Sequence, residues 1–257
     1  LELNGYRCLK DEDSDLTRFV HITGTTVREI KQRDIRRFIR CWAEERALNA
    51  DIRNLILNST KLAGQAVLEN LAEVELDFSN CTADSQIFYL KKNDRENVAV
   101  EVTANELKEH TDGSALGHYV WEENVIPHRF TKLEDMFEIT CSKDETGTDV
   151  WDINVQDTAS PMFGYVINTS RLYWRKEIEE AFATRGERKA YHEAHRFDIA
   201  GQGLNAEEIR EQKLNLINKI FSIGYMLHRH KDPSRAWAPQ AMDNKIGSDG
   251  ECNGRSG

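Results

Sequence analysis

No stretch of this 257-residue chain stays apolar over the about 20 residues needed to span a bilayer. No secretory leader opens it, and Leu1 is not a natural first residue, so the chain reads as cut at its N-terminus. There is no Cys-x-x-Cys pair. Cys8, Cys41, Cys81, Cys141 and Cys252 are odd in number and far apart, which supports neither a zinc ribbon nor a disulfide framework. Reduced thiols and a cytoplasmic location are expected. Positive charge is not in excess: 34 Lys and Arg stand against 44 Asp and Glu, a net charge of −10. Such a chain does not attract nucleic acid by its overall field, so any contact with DNA has to come from a local basic patch. The motifs of self-contained catalysis are missing as well. Gly-x-Ser-x-Gly is absent, and His192 and His195 stand at i and i+3 where a zinc-binding His-Glu-x-x-His helix needs i and i+4. No carboxylate spacing singles out a metal site, so neither a catalytic residue nor a metal ligand is assigned.

What is present describes a folded chain. Apolar residues make up 39% and charged residues 30%, too apolar for disorder, and the length allows one large domain or two. Residues 17–31 read as a hairpin turning at Gly24, and 32–48 as a helix, with Asp51 as the cap of a second. Gln86–Leu90 and Val98–Val102 are strand-like, and Thr103 with Glu106 has the spacing of a capping box before a short helix. Tyr119–Trp121 is a candidate strand, and Phe137–Cys141 with Val150–Val155 another hairpin. Helical patterns return over about 161–182 and 205–230, the latter behind an Asn205–Glu208 capping box, with a charged linker over Thr184–Gly203. The expected class is α+β, with helical N- and C-terminal parts flanking a mainly antiparallel, strand-rich centre. The expected segments are 1–75, 76–158, 159–232 and 233–257.

The strongest local feature lies in the first segment. Ile35, Phe38, Ile39 and Trp42 fall at i, i+3, i+4 and i+7, one apolar stripe of a helix. Arg33, Arg36, Arg37 and Arg40 repeat that spacing two residues out of step, about 200° around the axis. Residues 28–40 hold six basic side chains against two acidic ones. A solvated face is one reading of such a row. The other is contact with phosphates, which guanidinium groups grip through paired donors. Tyr173-Trp-Arg-Lys176 sets aromatics beside Arg175 and Lys176, a combination that stacks bases, although core packing of the aromatics is the stronger reading.

The C-terminal end completes the pattern. Arg235–Met242 reads as a short, irregular strand limited by Pro239, and a Gly-rich run ending in Gly254-Arg-Ser-Gly257 follows. Gly257 occupies the place of the last glycine in G-x-x-x-x-G-K-[ST], while Cys252 stands where the first would be and the lysine is missing. Ile223–Lys231, Ala236–Ile246 and Gly254–Gly257 resemble the approach to the Walker loop of superfamily 3 helicases. Leu76–Tyr89, Tyr119–Glu122 and Asn168–Arg175 likewise resemble the region before the motor in the primase-helicases of phages, plasmids and mobile elements. The resemblance implies that Gly254, Arg255, Ser256 and Gly257 open a phosphate loop and that 233–257 starts a truncated ATPase domain. It further implies that ATP and Mg2+ belong to the longer protein, not to this stretch. The implied partners are single-stranded or forked DNA and further copies of the chain in a ring, with no membrane. Two rivals stand beside it: a stand-alone interaction or scaffold protein, and a metal-dependent nuclease whose carboxylates meet only in the fold. An ordered strand over Trp237–Met242 favours the helicase reading; a tight acidic pocket favours the nuclease.

Overall fold

The computed structural model describes residues 1–10, 17–46, 48–59, 69–156 and 160–240. The chain adopts the expected α+β class, divided into two compact units, Leu1–Phe130 and Thr131–Gly257.

In the first unit, β1 (Tyr6–Lys10), β2 (Thr17–Thr23) and β3 (Thr26–Glu29) pair antiparallel. The β2–β3 turn falls at Gly24, as expected. Its φ is +57°, and a Cβ there would stand 2.5 Å from the Thr111 carbonyl oxygen, so only glycine fits without strain. The chain then enters α1 (Gln32–Glu45), where the Lys31 N–H donates to Asp34 Oδ2 at 2.8 Å. The apolar stripe of α1 faces β1: Ile35 is fully buried with Tyr6, Cys8, Ile30 and Leu71, and Phe38 and Ile39 pack on that cluster. In α2 (Ala50–Asn58) the cap is Asn49, not Asp51. The Asn49 side chain accepts the Asp51 N–H at 2.9 Å, placing Asp51 in the first turn, where its charge meets the positive end of the helix dipole.

β4 (Glu73–Val74) then returns parallel to β1, and β8 (Val120–Trp121) lies parallel to β3, giving the order β4-β1-β2-β3-β8. A second sheet runs β7-β6-β5-β9, from β5 (Ser85–Lys91), β6 (Asn97–Thr103), β7 (Leu107–His110) and β9 (Ile126–Arg129). The helix expected at Thr103–Glu106 is a strand-to-strand turn. Thr103 Oγ1 accepts the N–H groups of Asn105 (3.3 Å) and Glu106 (3.2 Å), while the Thr103 N–H reaches the Glu106 carbonyl. Pairing of Val102 with Leu107 then continues the sheet where a helix would have left it.

In the second unit, β10 (Phe137–Lys143) and β11 (Asp149–Val155) form the expected hairpin. It shares a core with α3 (Pro161–Thr169) and α5 (Ala206–Leu227), made of Ile153, Phe163, Val166, Ile167 and Leu216. The capping box of α5 is as the spacing predicts: Glu208 N–H to Asn205 Oδ1 at 2.9 Å and Asn205 N–H to Glu208 Oε2 at 2.8 Å. The 161–182 helix is interrupted. α3 ends at Thr169, and the chain resumes as a π-helical turn over Arg175–Glu179. The linker of 184–203 holds α4 (Arg185–Ala194), started by a reciprocal Thr184–Glu187 cap. Residues 235–240, the described part of the expected Arg235–Met242 strand, form no strand, and Trp237 is exposed.

The expected segment boundaries at 75 and 158 do not coincide with the division at Phe130. β8, well beyond residue 75, pairs with β3 of the first sheet, and the β10–β11 hairpin packs with α3 and α5 beyond residue 158.

Candidate functional site

Amphipathicity positions the α1 face. Burying Ile35 is worth about 1.5–3 kcal/mol and fixes the helix roll, since its stripe must point at β1. Arg33, Arg36, Arg37 and Arg40 are therefore turned outward, and all four are exposed; Phe38, Ile39 and Trp42 are half-buried. Arg33 Nε stands 4.0 Å from Asp34 Oδ1, a loose contact between neighbours. Among the described residues Arg36, Arg37 and Arg40 make no ion pair. From Arg33 to Arg40 the row advances about 10 Å along the helix, a span over which several phosphates of one strand can be met.

Arg175 and Lys176 are placed differently. Lys176 Nζ bonds both carboxylate oxygens of Glu208 at 2.8 and 2.7 Å, and Arg175 Nε lies 3.8 Å from Glu179 Oε2. Tyr173 gives its N–H to Gln212 Oε1 at 2.9 Å and its hydroxyl to Glu211. The run is thus fastened to α5, and Lys176 has a carboxylate partner that a phosphate would have to displace.

Behind it sits a buried polar centre. Arg171 and Glu177 expose 1% and 0% of their side chains, with Nη1 and Oε2 3.7 Å apart. Arg171 Nη2 donates to the carbonyls of His195 and Asp198, each at 2.7 Å. Glu177 Oε1 accepts from the Gly201 N–H (2.7 Å) and from Gln212 Nε2 (2.9 Å), which also reaches the Ile199 carbonyl. Buried charges persist only when paired and hydrogen-bonded. Here the pairing pins the 195–201 loop between the π-helical turn and α5, a structural task.

A shallow, open depression of about 280 Å³ is lined by Asn168, Trp174, Arg185, Arg188, Lys189 and His192. The last four stand at i, i+3, i+4 and i+7, so α4 gives one whole face to it. Arg188 is held by the carbonyls of Phe182 (2.9 Å) and Glu179 (3.0 Å), and Lys189 Nζ lies 3.8 Å from Glu193. The His192 ring meets Trp174 edge-on, centroids 5.6 Å apart at 71°. His192 Nε2 and Asn168 Oδ1 are buried without a hydrogen-bond partner. Burial, and then Arg171 and Arg196, hold the His192 pKa below its ordinary value, so the ring is neutral at pH 7. Sequence reasoning assigned no role to Arg185, Arg188 and Lys189. Their helical spacing behind the Thr184–Glu187 box was the available signal. In the first unit a groove of about 550 Å³ carries Arg28, Lys91, Lys92 and Arg95 beside Asp94, Glu96 and Glu122, four cations to three carboxylates.

Gly254, Arg255, Ser256 and Gly257 lie outside the described residues. Among the described residues, no group of three or more His, Cys, Asp or Glu side chains could hold a metal ion, and no helix is long and apolar enough to cross a membrane. No family model, curated protein or solved structure matches the chain.

Proposed function

We propose that this chain is a DNA-contacting accessory region, with the arginine face of α1 as its phosphate-binding surface. The observation that carries the reading is the exposure of Arg33, Arg36, Arg37 and Arg40 in one row, three of them without an ion pair among the described residues. In a chain of net charge −10, a one-signed row is out of keeping with the rest of the surface. The wider setting, a cytoplasmic superfamily 3 primase-helicase of a phage or mobile element, rests on the sequence resemblance alone. So do ring assembly and the assignment of ATP and Mg2+ to the longer protein, with Gly254 to Gly257 opening the phosphate loop. Residues 235–240, which form no strand, lend the loop-entry reading no added support.

The test is binding of fluorescent single-stranded, forked and duplex DNA, followed by anisotropy across a salt series. Wild type should weaken linearly in log–log form as counterions are released. The triple change Arg36→Glu, Arg37→Glu, Arg40→Glu should remove binding, leaving the thermal midpoint nearly unchanged because exposed charges contribute little stability. Undiminished binding by the triple variant overturns the reading.

A further inference from the structure

The backbone of β10 leaves one edge of the second unit unused. Two bonds flank the β10–β11 ladder and set its phase: Asp144 N–H to the Thr148 carbonyl and Gln156 N–H to the Met136 carbonyl. Glu138, Thr140 and Ser142 therefore bond to β11. The N–H and C=O groups of Phe137, Ile139, Cys141 and Lys143 point the other way. Among the described residues no hydrogen bond reaches those outward groups. Residues 140–143 are exposed.

The other sheet margins are short or capped. β4 and β8 bound the five-stranded sheet with two residues each, and β7 and β9 bound the four-stranded sheet with four each. On β11 the outward N–H of Ile153, at mid-strand, is taken by Asp152 Oδ1 at 2.8 Å. Asp152 is in turn held by Lys213 at 2.6 Å, and α5 packs on this strand. β10 runs for seven residues with no proline and no such cap. A long, unguarded edge is a template for a further strand.

The sequence of β10 suits its own copy. Antiparallel pairing about Thr140 sets Ile139 opposite Cys141 of the second copy, Phe137 opposite Lys143, Glu138 opposite Ser142, and Thr140 opposite Thr140. Outward groups then meet outward groups along the whole strand. No like charges oppose one another, and a Thr–Thr pair, a favourable cross-strand contact, stands at the centre. Moving the centre to either neighbour leaves a strand end unmatched. On the apolar side Phe137 and Ile139 are half-buried and Cys141 is exposed, so the added strand continues that face.

We infer that a second copy of this chain adds its β10 to this edge about a two-fold axis at Thr140, giving the strand order β11-β10-β10-β11. Such a contact uses the same patch twice and closes on itself. It draws on no residue of α1, so this inference and the DNA reading fail separately.

The experiment is sedimentation velocity of the full chain over a concentration series, repeated on Cys141→Pro, Cys141→Ala and Thr140→Cys. Wild type should pass from monomer to dimer as concentration rises. Cys141→Pro removes an outward N–H that the fold does not use, so it should weaken the dimer at least tenfold with circular dichroism unchanged. Cys141→Ala keeps that N–H and should dimerise like wild type. In the new ladder the Thr140 pair is not hydrogen-bonded, the arrangement that brings side chains closest. Mild oxidation of Thr140→Cys should therefore join two copies through position 140, as mapped by mass spectrometry of the linked peptides. That link reads the pairing even where proline disturbs the hairpin. A monomer at every concentration leaves the edge to a strand of another protein and overturns the proposal. So does a dimer indifferent to Cys141→Pro, or a Thr140→Cys dimer with no link at position 140.

Discussion

Arg171 and Glu177 are the residues on which the second unit has least tolerance. Neither side chain reaches water, and their hydrogen bonds hold a loop, a π-helical turn and α5 together. Glu177→Ala leaves the Arg171 charge uncompensated and should cost about 3–5 kcal/mol, whereas Arg171→Met with Glu177→Leu removes both charges and should cost far less or nothing. Urea unfolding of the two variants checks the ordering, and equal losses would contradict it. His192 makes a pH prediction. Its folded pKa lies below the ordinary 6.5, pushed there by burial, Arg171 and Arg196 against the opposing pull of Glu193. Above 6.5 the folded and unfolded chains are both neutral at this ring. Below it the unfolded chain takes up the proton first, so stability is lost as pH falls toward the depressed folded value and then levels. Thermal midpoints between pH 7.5 and 5 should therefore fall less steeply in His192→Gln than in wild type.

At the scale of elements, α4 depends on its first turn. It has few apolar side chains, so the Thr184–Glu187 cap carries much of its definition. Thr184→Ala should cost about 1 kcal/mol in unfolding experiments. The same helix marks where the sequence ceased to be readable. α1, α5 and the β2–β3, β5–β6 and β10–β11 hairpins were legible because periodicity and turn or cap chemistry are local. In α4 the regular spacing belongs to Arg185, Arg188, Lys189 and His192, so a search for apolar stripes passes over it. Thr103 was misread for a complementary reason. A hydroxyl accepting amide N–H groups two and three residues on serves a helix start or a strand turn, and only the distant match of Val102 to Leu107 decides between them. The outward row on α1 was visible in advance, whereas the depression was not, because Trp174 and α4 come together through the Phe182–Thr184 bend and the buried Arg171–Glu177 pair.

The molecule as a whole divides at Phe130, beyond which Thr131–Asp135 are exposed and in no regular structure. Each unit holds its own buried cluster, so trypsin should cut after Lys132 under native conditions and leave two fragments that keep their helix and strand signals by circular dichroism. Loss of structure in either fragment would show that the units depend on each other. The four-stranded sheet of the first unit has one further property. Its outer strand β9 carries Pro127, whose nitrogen bears no hydrogen, and its other outer strand β7 carries the exposed Lys108, tied to Glu106 at 2.6 Å. A strand from another chain approaching β9 meets a broken row of donors, and one approaching β7 meets charge. Growth of this sheet into fibres, or its exchange of strands between molecules, is discouraged at both margins.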